Sequence, residues 1–167
     1  MLSNVKEELN RFAKYVISQS RANLTRGKKN SSKQLYNSLD SNVKVSKNSF
    51  ELSFLMEDYG VFQDKGVSGV KKKYNTKYSY TTKMPPPSKM DKWIVKKGIA
   101  PRGKDGKFIS RKSLQFMIAR SIFNNGIKPS LFFTKPFEKA FKNIDKDLIK
   151  AYKLDIETLM NNSINNK

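Results

Sequence analysis

Apolar residues recur at steps of three and four from the first residues of the chain: Leu2, Val5, Leu9, Phe12, Ala13, Val16 and Ile17, with Ser20 next in phase. That spacing places them on one stripe of an amphipathic helix spanning roughly residues 2 to 24 and ending near Gly27. A single-striped helix of this length needs a partner to cover it. A second stripe of the same period lies at the other end, with Phe137, Ala140, Phe141, Ile144, Leu148, Tyr152 and Leu159 in the expected core positions. Thr134 is placed to cap that helix and Pro136 to sit in its first turn. Residues 161–167 are polar and are expected to fray.

Between the two stripes the period changes. Residues 25 to 34 are polar turn formers, and Leu35, Tyr36 and Leu39 mark a short helix or turn. Val43 and Val45 alternate with polar neighbours, as do Phe50, Leu52, Phe54 and Met56, with Lys47-Asn48-Ser49 between the runs. This pattern predicts a β-hairpin with one buried face. Tyr59 to Gly69 spaces three glycines through an aromatic stretch, which predicts that pairing breaks into a turn or bulge. Pro85-Pro86-Pro87 precedes Ser88, and Ser88 with Asp91 has the form of a capping box for a helix carrying Met90, Trp93 and Ile94 up to Gly98. Residues 99 to 110 contain an Asp-Gly turn. Ser110 is placed to cap a helix running to Asn125, with Leu114, Met117, Ile118, Ser121 and Ile122 on its stripe and Gly126 as its stop.

Charge is distributed unevenly over these elements. The 167 residues carry 34 Lys and Arg against 14 Asp and Glu, a formal charge of +20. From Lys65 to Lys112 there are fifteen basic residues and two acidic ones, so about two-thirds of the excess lies in less than a third of the chain. Such a balance implies an acidic partner, whether nucleic acid, an anionic membrane or an acidic protein. Eleven Phe, seven Tyr and one Trp are enough for a modest core, and the length fits a single domain, 1–167. No uninterrupted apolar run of membrane-spanning length occurs, and charged residues break the N-terminal stretch, so a soluble protein made in a cytoplasm is expected.

Composition also removes chemistry. There is no His and no Cys, which excludes a Ser-His-Asp triad, a Cys-His pair, a His/Cys zinc site and a disulfide. Glu57, Asp58 and Asp64 are the one carboxylate group near glycines, a set able in principle to hold Mg²⁺ for phosphodiester cleavage. Nothing in the spacing fixes their convergence. Gly66, Gly69, Gly103 and Gly106 lack the strand, Gly-Lys-Ser/Thr and helix order of a phosphate-binding loop. No cofactor is expected. The run Lys71-Lys72-Lys73-Tyr74-Asn75-Thr76-Lys77-Tyr78-Ser79-Tyr80 interleaves cations with aromatics, as single-stranded nucleic-acid binders do. The same run also reads as an exposed strand whose lysines discourage edge pairing, or as an arm docked on an acidic neighbour.

The order of these motifs resembles the tail-completion or neck proteins of tailed bacteriophages. The resemblance is carried by the long N-terminal helix, the Leu35 to Ser38 turn and the hairpin leading into Tyr59-Gly-Val-Phe-Gln-Asp-Lys-Gly66. The late segment Gly126-Ile-Lys-Pro-Ser-Leu-Phe-Phe-Thr-Lys-Pro-Phe-Glu-Lys-Ala-Phe141 completes it. The Trp93 helix after the prolines and the helix from Ile118 to Gly126 also resemble connector proteins of Bacteroidota phages, the crAss-like group included. The resemblance covers roughly residues 2 to 150, and the basic stretch 65–112 departs from shorter family members.

The resemblance implies an α+β fold, with a small antiparallel β-sheet, a long N-terminal helix and C-terminal helices packed on it, and the 65–112 segment as an extended basic arm. It implies a non-enzymatic virion protein of the head-tail connector: a homo-oligomeric ring, a dodecamer by family likeness, that joins portal to tail and contacts neighbouring ring or tail proteins. Genomic DNA would pass its channel, and no membrane is involved. Lys71, Lys72, Lys73, Tyr78, Tyr80, Trp93, Phe132, Phe133 and Phe137 are the candidate arm and assembly contacts. The contrasting expectation is a nucleic-acid-binding protein that uses residues 65–112.

Overall fold

In the computed structural model, which describes residues 2–30, 32–46 and 49–165, the chain is α+β and falls into two compact units. The first comprises residues 1–57 and 132–167, the second residues 58–131.

The first unit is built on two helices, α1 (Ser3–Arg26) and the 32-residue α6 (Thr134–Asn165). The stripe read from the sequence is the face α1 buries: Val5, Leu9, Phe12, Ala13, Val16, Ser20 and Leu24. Gly27 ends the helix, its N–H donating to the Asn23 carbonyl at 2.8 Å. A short helix, α2 (Gln34–Ser38), leads into the hairpin of β1 (Asp40–Val45) and β2 (Phe50–Leu55). The strands pair antiparallel with Val43 opposite Leu52 and Ser41 opposite Phe54. Because side chains alternate across a strand, Val43, Leu52 and Phe54 share the inner face, and all three pack on the helices. Lys47 and Asn48 of the expected turn lie outside the described residues.

Three apolar layers follow one another along α1. Val5 and Leu9 meet Ala151, with Leu148, Val43 and Leu52 around them. Phe12 and Val16 meet Ile144 beneath an aromatic group of Phe54, Phe133 and Phe137. The Phe54 and Phe133 rings meet edge-on at 5.2 Å, a favoured arrangement of ring quadrupoles. Leu24 closes the series with Leu35, Leu39 and Phe132. Arg21 ties α2 to this end: Nε donates to the Tyr36 carbonyl at 3.1 Å and Nη2 to that of Leu39 at 2.9 Å.

The start of α1 is held from α6. Leu2 stands at the capping position and has no side chain able to accept, and the first turn has no acidic residue. The Asp155 carboxylate does both jobs. Its Oδ1 accepts from the Asn4 N–H at 3.0 Å, the Asn4 amide at 2.8 Å and the Ser3 hydroxyl at 3.2 Å, and its Oδ2 accepts from the Val5 N–H at 3.0 Å. An anion thus sits at the positive end of the helix and satisfies N–H groups that have no partner inside it.

The second unit contains α3 (Tyr59–Lys65), a 3₁₀ turn (Pro87–Met90), α4 (Asp91–Lys97) and α5 (Arg111–Asn125). Tyr59 to Lys65 is a helix, where the sequence reading expected a turn or bulge. Ser88 lies inside the 3₁₀ turn and caps nothing, and the Asp91 side chain instead accepts from Gln115 Nε2 at 2.7 Å. Gly98 stops α4 with φ +62°, and Ser110 caps α5 by accepting from the Ser113 N–H at 3.2 Å. Arg102 and Phe108 bridge the Asp105-Gly106 turn into a small hairpin.

The helical periods identified the stripes of α5 and α6 more broadly than the fold uses them. On α5 only Leu114 and Ala119 are buried, and Met117 is exposed. On α6 Ile144 and Ala151 are buried, whereas Phe141, Tyr152 and Leu159 are exposed. The tail expected to fray from residue 161 continues as helix to Asn165, and Asn166 and Lys167 lie outside the described residues.

Burial alone would raise the Asp155 pKa. The hydrogen bonds from the Asn4 and Val5 N–H groups, the Asn4 amide and the Ser3 hydroxyl outweigh that and hold it below the usual carboxylate value. Its contribution to stability is therefore complete above the unfolded pKa of about 3.9 and is lost as pH falls through the lower folded value. Asp155→Ala should cost about 2–3 kcal/mol at neutral pH, since buried backbone donors lose a charged acceptor. Urea denaturation should show a gap between the two proteins that is constant from about pH 5 upward and closes in acid; a gap that widens in acid would refute the assignment.

Candidate functional site

The most constrained part of the second unit is the segment Val67 to Val70. Gly66, Val67, Ser68 and Gly69 are all buried, and backbone bonds run from the segment to chain on both sides. On one side Val67 and Ile127 exchange both N–H···O bonds, at 2.9 and 2.7 Å. The Val70 N–H donates to the Phe123 carbonyl, and those of Lys71 and Lys72 to that of Asn124. On the other side the Ser68 N–H donates to the Tyr78 carbonyl and the Tyr80 N–H to that of Ser68, each at 2.8 Å. The Ser68 hydroxyl donates to the Tyr74 carbonyl and accepts the Tyr74 N–H.

Glycine is required where these backbone segments meet. A Cβ on Gly69 would lie 2.2 Å from the Asn124 oxygen and 2.4 Å from the Gly126 nitrogen, and one on Gly126 would lie 2.1 Å from the Val67 oxygen. No side chain fits in that space. The three lysines Lys71, Lys72 and Lys73 form the exposed turn that leaves this crossing, and Gly69 donates its N–H to the Lys72 carbonyl at 2.8 Å.

The aromatic neighbours of the lysines pack within the unit. Tyr78 packs edge-on against Phe62 at 4.8 Å, and Tyr80 lies 6.2 Å from the Phe123 ring. Both are half-buried, and burial pushes the Tyr80 hydroxyl pKa up. Lys77 Nζ lies over the Tyr78 ring at 5.2 Å and Lys72 Nζ over Tyr74 at 5.8 Å, within the range of a cation–π contact. Tyr78 and Tyr80 thus pack on rings of their own unit, and Tyr74 and Tyr78 each carry a lysine ammonium over one face.

The remaining candidates divide between the units. Trp93 belongs to the second and is 43 % exposed on α4. Phe132, Phe133 and Phe137 belong to the first. Phe132 is 1 % exposed inside the Leu24 layer, so it is a core residue and is not available to a neighbour. Phe133 and Phe137 are half-buried in the aromatic group around Phe54.

The first unit also carries an exposed apolar surface. Phe50 and Phe141, 49 % and 54 % exposed, border a groove of about 370 Å³ whose floor includes Leu9, Phe12, Phe137 and Leu148. Ile149, Tyr152, Ile156 and Met160 continue the exposed apolar line along α6. The signal was available: these residues recur at steps of three and four, in phase with each other and out of phase with Ile144 and Ala151. A second, more polar groove of about 860 Å³ runs along α1 past Lys14, Arg21, Tyr36 and Asp40.

The carboxylates read as a conceivable metal set are spread out. Glu57 accepts from Gln34 Nε2 at 3.1 Å in the first unit, Asp58 is exposed, and Asp64 is 4 % exposed on α3. Among the described residues no three His, Cys, Asp or Glu side chains are placed to hold a metal ion, and no helix is long and apolar enough to cross a membrane. No protein-family profile, curated protein or solved structure matches the chain.

The glycine crossing makes a direct prediction. Gly69→Ala forces backbone apart at Asn124 and should destabilise the second unit by about 1–3 kcal/mol, the usual cost of overpacking. Hydrogen exchange should then show faster exchange at the amides of Val67, Val70 and Lys71, with mid-α1 amides unchanged. Unaltered protection at all three would mean that the crossing is not closely packed.

Proposed function

We propose that the chain is a non-enzymatic structural subunit of a tailed-phage head-tail connector, assembling as a ring and joining portal to tail. The observation that carries this reading is the apolar groove bordered by Phe50 and Phe141, continued by the α6 line to Met160. A contiguous apolar surface of this kind on a small unit marks a protein contact. A ring subunit needs such surface, because head-to-tail closure buries a different patch on each side of every copy.

The element order gives a second support. A long helix, a short turn, a hairpin, the Tyr59-to-Gly66 segment and a last helix entered through Gly126 and Pro129 follow one another as the phage resemblance implies. The absence of His and Cys from the sequence narrows the available chemistry and fits a role in assembly.

The test separates folding from assembly. Phe50 and Phe141 are half exposed, so changing both to Asp should leave the fold intact while light scattering shows loss of the oligomer, alone or with the portal. Phe137→Asp should instead unfold the protein, because that ring packs within 6.0 Å of the Phe54 ring and 5.8 Å of the Phe12 ring. A full-sized assembly formed by the folded Phe50/Phe141 double variant would sink the reading. A separate check concerns chemistry: Mg²⁺ or Mn²⁺ should neither raise the melting temperature nor bring about plasmid nicking. Metal-dependent nicking that disappears in Asp64→Asn would overturn the non-enzymatic assignment.

A further inference from the structure

The second unit holds seventeen Lys and Arg against four Asp, an excess of thirteen, while the first holds seventeen against ten acids, an excess of seven. Among the described residues, ion pairs join Arg11 to Glu7 and Glu8, and Arg111 to Asp91. Within the second unit, Asp91 is thus engaged with Arg111 and Gln115, and Asp64 is buried.

The fold gathers part of this charge at one place. Lys65 immediately precedes the Gly66 to Val70 segment, and Lys71, Lys72 and Lys73 follow it. Lys77 immediately precedes Tyr78, whose carbonyl accepts the Ser68 N–H, and Lys128 follows Ile127, the bridge partner of Val67. All six are exposed, and none takes part in those ion pairs. They stand on or next to backbone held by the Val67 to Val70 hydrogen bonds, while their ammonium groups sit on flexible stems.

We infer that this lysine cluster is a contact surface for duplex nucleic acid that engages the phosphate backbone and does not read the bases. Three observations point to that class of partner. First, interfaces between proteins are depleted in Lys at their centres, whereas those with nucleic acid are strongly positive. Second, two of the three rings in the Lys71 to Tyr80 run that a single-strand binder would stack on bases pack on rings within the unit, Tyr78 on Phe62 and Tyr80 on Phe123. Third, the six cations are all lysines, compact point charges on flexible stems that bind phosphate without a fixed fork geometry. Such contacts give weak, salt-sensitive binding that permits sliding along the duplex.

The inference goes beyond the connector role and does not depend on it. Fluorescence anisotropy with a short duplex of random sequence should give a plot of log K against log salt with a slope near about −5 if six phosphates are neutralised. The triple change Lys71→Ser, Lys72→Ser and Lys73→Ser should make that slope shallower by about 3. The second set, Lys65→Ser, Lys77→Ser and Lys128→Ser, should do the same, with melting temperatures confirming that both variants are folded. Unchanged slopes in both folded variants would overturn the inference. So would tighter binding of oligothymidylate than of duplex, or displacement of the duplex by polyglutamate as effective as by competitor duplex at equal charge. Light scattering on the lysine variants keeps the two proposals apart: intact assembly with unchanged salt slopes removes this inference alone, whereas shallower slopes in a protein that never assembles remove the connector reading alone.

Discussion

Two antiparallel helices with apolar stripes can slide past each other by a turn at small cost, because one aliphatic contact replaces another. In the first unit the Asp155 carboxylate removes that freedom. Displaced by one turn, about 5.4 Å, it would remain buried without the donors of Ser3, Asn4 and Val5, and each unsatisfied group costs about 1–3 kcal/mol. The polar contact contributes little to net burial and sets which residues meet. With the register fixed, Ala151 falls beside Val5 and Leu9, and Ile144 beside Phe12 and Val16. The hairpin's inner face, Val43, Leu52 and Phe54, then has one place to pack. Phe141 and Phe50 are left at the border of that packing, which is how the apolar groove arises.

Local rules were legible where one residue decides the outcome. Gly98 and Gly126 ended their helices, Ser110 capped α5, and the alternation from Val43 to Phe54 located both strands and their buried face. The α3 helix was missed because three glycines among aromatics between residues 59 and 69 resemble a broken strand, and only the bonds of Val67 to Ile127, sixty residues away, show where extended chain begins. The periods of α5 and α6 showed which residues share a face but not how much partner surface covers it. Phe141 and Tyr152 were therefore assigned to the core and lie outside it. Asp155 left a trace, since it follows Ile144, Leu148 and Ala151 in phase, and an acid in a core position needs partners.

The basic segment is one whose composition admits more than one arrangement. Lysine and tyrosine in alternation match a surface that stacks bases, and they equally match a small core with a charged rim. Ser68 decides between these, by holding residues 74 to 80 through its N–H, its carbonyl and its hydroxyl. Fixed along that segment, the tyrosines turn toward Phe62 and Phe123, and the lysines remain in water. Among the described residues the buried hydrophobics of this unit are Val67, Ile94, Leu114 and Ala119, so backbone hydrogen bonds and close glycine packing supply order that leucines supply in the first unit.

The two units thus offer different physics to a partner. A groove lined by Leu9, Phe12, Phe50 and Phe141 gains free energy only when water is expelled at contact, so it acts over a few ångströms and holds what has already arrived. The lysines around Val67 to Val70 act out to the Debye length, about 8 Å at physiological salt, and raise the rate of encounter without fixing a single pose. The groove and its continuation along α6 lie on the unit whose register is locked by a buried carboxylate, and the larger share of the excess charge lies on the unit ordered chiefly through its backbone.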